Sequence, residues 1–79
     1  MSPTVFYDGG YRYFFFSREE PRIHVHVRSS EGEAKFWLEP VVEVARKHNL
    51  NNSEINKIQK TVESRKDELI QAWQKHFGS

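Results

Sequence analysis

The sequence predicts an α+β domain: an antiparallel sheet of about four strands in meander order, packed on one face by a short helix and a long C-terminal helix. Two observations carry this. Residues 4–38 alternate between apolar and polar positions, whereas residues 40–77 step by three and four. Turn-forming clusters at Asp8-Gly9-Gly10, Ser17–Pro21 and Ser30–Glu33 divide the first half into strand-length pieces. At 79 residues the chain holds one domain, 1–79, with the sheet in 1–38, a short helix in 40–49 and a long helix in 51–77.

Thr4–Tyr7 and Tyr11–Phe16 are β-branched or aromatic and flank Asp8-Gly9-Gly10, a combination that favours positive φ and a tight hairpin. The consecutive Phe14, Phe15 and Phe16 cannot all face one way, which places the second strand inside the sheet. Ser17–Pro21 is a polar loop. A third strand starts near Arg22, with Ile23, Val25 and Val27 on its dry face and Arg22, His24, His26 and Arg28 on its wet one. With Glu31-Gly32 as a two-residue loop and Gly32 supplying the unusual backbone angle, Val27 pairs with Phe36, Val25 with Leu38 and His26 with Trp37.

Glu39-Pro40 closes the sheet, and Val41, Val42, Val44, Ala45 and His48 mark the short helix, ended by Asn49 in the left-handed conformation. Asn51 caps the long helix, Glu54 reaches back to complete the box, and Leu50 staples to Ile55. Ile55, Ile58, Val62, Leu69, Trp73 and Phe77 form one stripe of a helix of about 26 residues, roughly 40 Å long. Arg65 and Lys66 interrupt that stripe, so the distal turns are expected to pack away from the sheet centre.

Composition narrows the function classes. Without cysteine there is neither a disulfide framework nor a thiolate metal site, which suits a reducing cytoplasm. No apolar run approaches the roughly 20 residues of a membrane helix, and MSPTVFYDGG lacks the pattern of a signal peptide, so no membrane partner is expected. Arg12, Arg18, Arg22, Arg28 and Lys35 are balanced by Asp8, Glu19, Glu20, Glu31 and Glu33 in the first half, unlike a duplex-coating protein.

The run HVHVRSSEGEAKFWLEPVVEVARKHNL, preceded by YRYFFFS and followed by EINKIQ and a Trp near the C-terminus, resembles the bacterial family called domain of unknown function 4160. The resemblance spans nearly the whole chain. Its most specific pieces are His24-Val25-His26-Val27 and Ala34–Pro40; Pro21-Arg22-Ile23 departs from the two prolines that often precede the first histidine. The resemblance implies a fold but no established activity. It also implies a gene arrangement similar to toxin–antitoxin pairs, beside a second small protein with a DNA-binding part.

Three constellations compete on the third strand. His24 and His26, about 6.6 Å apart at i and i+2, could share a metal ion. No spacing singles out a third ligand among His48, His76, Glu19, Glu20, Glu33 or Glu39, and Arg22 and Arg28 repel a dication, so neither metal nor cofactor is expected. The same two imidazoles could serve as the acid–base pair of a metal-independent ribonuclease. Finally, Arg12, Arg22, Arg28 and Lys35 around His24, His26 and an exposed Trp37 could form a cation–aromatic platform for an acidic protein, a second copy or, less well given the charge balance, RNA. The leading expectation is this third one: a non-enzymatic interaction module that binds through this face or through the C-terminal helix.

Overall fold

The computed structural model describes residues 4–16 and 21–78, so most of the expected loop at 17–21 lies outside the described residues. It contains one five-stranded antiparallel sheet in the order β1 (Thr4–Asp8), β2 (Tyr11–Phe14), β3 (His24–Arg28), β4 (Glu33–Trp37) and β5 (Glu43–His48), followed by α1 (Asn52–Ser64) and α2 (Lys66–Phe77). The α+β class and the meander are those the alternation predicts. Among the described residues, no helix is long and apolar enough to cross a membrane.

The β1–β2 hairpin turns on Gly9 and Gly10, both at positive φ (60° and 86°), the backbone that a two-residue loop between twisted strands requires. β2 lies inside the sheet, as its apolar run predicts.

The short helix of residues 40–49 is not present; Glu43–His48 is the fifth strand. The valines decide the matter. Val42 and Val44 are half-buried against the core at a spacing of two, and three β-branched residues in four positions suit an extended pleat better than a helix. Asn49 does adopt the left-handed conformation, at φ 57°, but as a turn after a strand.

The β3–β4 connection also differs from expectation. Ser29–Gly32 forms the loop, with the Ser29 hydroxyl accepting from the amides of Glu31 and Gly32. The amide of Ser29 donates to the Gly32 carbonyl. Arg28 therefore pairs with Glu33, His26 with Lys35, Val25 with Phe36 and His24 with Trp37. The register has moved but side-chain parity has not, because a two-residue offset returns each residue to the same face.

Gly32 is required for space rather than for backbone angle. A Cβ there would stand 2.5 Å from the carbonyl oxygens of His48 and Asn49, which are backbone atoms and cannot swing away. Gly32→Ala is accordingly expected to cost about 1–3 kcal/mol by overpacking, read as a lower midpoint in urea with an unchanged slope.

The helical half begins where the sequence places it. The Asn51 side chain accepts from the Glu54 amide, and Glu54 accepts from the Asn51 amide. The helix does not run unbroken to residue 77. It bends at Arg65 (φ −114°, ψ 23°), where the interruption of the stripe falls. The Arg65 guanidinium forks onto Glu68, lies 3.7 Å from Asp8 and stacks 3.5 Å above Phe6, tying the break to the first hairpin.

Both helices cover the Val25 face. Ile55, Ile58, Val62, Leu69 and Trp73 meet Tyr13, Phe15, Val25, Val27, Phe36 and Leu38 in one core. Burial pushes the Tyr13 hydroxyl above its ordinary ionisation range, opposed by a hydrogen bond from Thr61. Its raised folded-state value means that stability is fully present below the ordinary tyrosine pKa of about 10 and is lost as pH rises through the folded value. An alkaline denaturation series should therefore show a steeper loss above about pH 10 for the wild type than for Tyr13→Phe.

Candidate binding face

The second face of the sheet is where all seven sequence-predicted site residues converge. The pairings place side chains in rows across the strands. One row runs Tyr7, Arg12, Arg28, Glu33, His48; the next runs Thr4, Phe14, His26, Lys35, Arg46; a third holds His24, Trp37 and Glu43. Opposed residues in such a row stand about 5 Å apart.

Two aromatic rings on this face, Phe14 and Trp37, are clasped by cations. Phe14 lies beneath Arg12 at 4.4 Å and Arg28 at 5.5 Å, and Trp37 beneath Arg22 at 4.2 Å and Lys35 at 4.5 Å. Arg22 also reaches Glu43 at 3.2 Å, and Arg28 reaches Glu33 at 3.3 Å. The guanidiniums of Arg22 and Arg28 stay largely in water, so each such contact contributes about 0.5–1 kcal/mol.

The histidines are the point at which the wet-face expectation is corrected. Parity holds, since His24 and His26 lie opposite Val25 and Val27, but His24 is 0% exposed and His26 only 7%. Among the described residues, aromatic rings pack against both. The His24 ring sits 5.5 Å from Trp37 and 5.0 Å from Trp73, a residue of α2 that also packs 5.4 Å from Phe15. His26 stacks 5.6 Å from Phe14 and meets Phe16 edge-on at 4.4 Å. His24 is further fixed by its Nδ1, 2.7 Å from the carbonyl oxygen of Arg22; because a carbonyl only accepts, Nδ1 carries the proton and donates. Trp37 is likewise half-buried rather than exposed, both of its approaches being taken by Arg22 and Lys35.

A cleft of about 140 Å³ opens on this face, lined by Phe14, His26 and Glu33 together with Arg46 and His48 of β5. That is more than a single water requires and well below the roughly 300 Å³ of a small-molecule pocket, so it suits one functional group of a larger ligand. Arg46 is absent from the sequence reading, and His48 enters it only as a possible third metal ligand, because residues 40–49 read as a helix. Read as a strand, their spacing of two puts them beside each other on one face, and the β-branched valines before them are the signal that could have found them.

The geometry can be set beside known families. A family described as "Domain of unknown function (DUF4160)" matches residues 10–74. The chain belongs to the DUF4160 family. The matched stretch contains β2 to β5, α1 and most of α2, and so every residue of the two cation-bearing rows except Thr4 and Tyr7. No curated protein and no solved structure matches this DUF4160 chain.

Proposed function

We propose that this DUF4160 chain is a protein-interaction module, one component of a bacterial toxin–antitoxin-like two-gene pair. In this reading it holds an acidic partner in the cytoplasm on the cation-bearing face of its sheet, at the exposed side chains that surround the buried Phe14, His26 and Lys35. The supporting observation is the charge of that face. Arg12, Arg22, Arg28 and Arg46 stand there, with Lys35 buried among them, against Glu33 and Glu43, although the whole chain carries a net charge of only +1. Segregated charge of this kind steers an oppositely charged partner and fixes its orientation. The C-terminal helix is the weaker contact surface, since Leu69 and Trp73 are consumed by the core and Ile70 and Phe77 pack against it.

The ribonuclease reading draws less support. A general acid or base must reach within about 3 Å of the transferring proton, and a fully buried His24, with Nδ1 committed to a backbone carbonyl, has no path to a phosphodiester. Stacking of RNA bases is also disfavoured, because Phe14 and Trp37 already carry the protein's own cations.

The test is co-expression with the small protein encoded beside it. The wild-type chain is expected to retain that protein through purification, and Arg12→Glu combined with Arg28→Glu and Arg46→Glu to weaken capture roughly 100-fold. Because Arg12 and Arg28 also brace Phe14, Arg46→Glu alone serves as the variant that leaves the fold untouched. Full retention by both would refute the proposal.

A further inference from the structure

The edge of the sheet beside the cleft is the feature that the proposed function leaves unused. Among the described residues β5 pairs with β4 on one side only, and Glu43 and residues 45–48 are exposed. Among the described residues Arg46 and His48 make no ion pair and no side-chain hydrogen bond, while Lys47, on the opposite side of the strand, bonds the Asn52 side chain at 3.0 Å. A free strand edge presents unpaired amides and carbonyls, and lysine or arginine on it discourages pairing with unselected strands. Here the same cations also define which strand would fit.

We infer that β5 accepts an extended acidic segment of the partner as a sixth strand. Carboxylates at alternate positions of that segment would pair with Arg46 and His48 at the mouth of the cleft. This rests on the acidic-partner reading above. Two facts of register support it. Arg46 and His48 share one face at a spacing of two, so a strand laid along β5 sets its own alternate residues opposite them at about 5 Å. Glu33, which lines the cleft, is held by Arg28, leaving the Arg46 guanidinium and the His48 ring N–H as the donors that an incoming carboxylate meets. Main-chain hydrogen bonds supply affinity in such strand addition, and alternate side chains supply selectivity.

The experiment titrates the ¹⁵N-labelled chain with an acetylated, amidated peptide, Thr-Glu-Val-Glu-Val-Glu-Thr, and with an isomer in which the three Glu are contiguous. Saturable shifts centred on residues 43–48, slowed hydrogen exchange there, and at least tenfold weaker binding of the isomer are expected. Arg46→Glu, an exposed substitution, should lose the acidic peptide and gain a counterpart with Lys in place of Glu. Equal binding of both isomers, or shifts confined to Arg12, Phe14 and Arg28, would overturn strand addition while leaving the acidic-face proposal standing. Shifts confined to the helices would overturn both. Pairing of two copies through β5, seen as a dimer that the peptide does not dissociate, would also overturn it.

Discussion

Replacing Trp73 with Ala is expected to cost about 3–5 kcal/mol, the range for removing a buried aromatic. A domain of this size has only about 5–15 kcal/mol in total, so the variant sits near the edge of folding. The effect is large because one indole closes two surfaces. From α2 it packs edge-on against Phe15 at 5.4 Å, meets Phe77 at 4.3 Å and covers His24 at 5.0 Å. Losing it opens the core at the end of the sheet and uncovers the imidazole together. At about 4–8 °C per kcal/mol, the melting temperature should fall by more than 12 °C in a circular-dichroism scan. Trp73→Phe should recover much of that loss. A shift of only a few degrees for Trp73→Ala would mean that α2 does not seal the sheet as described.

His24→Ala should be the second most damaging change, at about 2–4 kcal/mol from a fully buried cavity and a broken hydrogen bond to the Arg22 carbonyl. A catalytic histidine behaves otherwise, since its removal leaves stability unchanged or improved and abolishes only activity. His24→Asn separates the two losses, because its amide can still donate to the carbonyl while the ring contacts with Trp37 and Trp73 are gone. Urea midpoints in the order wild type, Asn, Ala are expected. An Ala variant as stable as the wild type would return His24 to the list of chemical groups.

Most of the frame was legible from local chemistry. The Gly9-Gly10 turn, the Asn51–Glu54 box and the alternation of Ile23, Val25 and Val27 each report a backbone requirement that acts within a few residues. They placed the hairpin, the helix start and the two faces correctly. What misled was short or ambiguous. Residues 40–49 contain valines that satisfy a helical stripe and a strand equally well over so few positions, and only the hydrogen bonds to β4 choose between them. The loop at Ser29–Gly32 was set by the Ser29 hydroxyl and by the close passage of the His48–Asn49 backbone, the second a long-range contact that no pattern near Gly32 reveals.

That the candidate residues share one face was legible, whereas their burial was not. Arg12, Arg22, His24, His26, Arg28, Lys35 and Trp37 do share one face, because parity survives a two-residue slip. Their burial did not follow from parity. Whether an alternate polar residue is wet depends on what rises around it, and for His24 that wall is Trp73, 49 positions along the chain, delivered by a bend at Arg65. The cations were counted correctly as a group, yet their engagement with Phe14 and Trp37 came from cross-strand geometry.

Arginine side-chain ¹H–¹⁵Nε spectra of the complex with the protein encoded beside this chain test the central claim most directly. Arg12, Arg28 and Arg46 report from the cation-bearing face, and Arg65 reports from the bend between the helices on the opposite side. The expected result is that the first three shift and broaden on complex formation while Arg65 stays in place. A perturbed Arg65 with Arg12, Arg28 and Arg46 unmoved would contradict it.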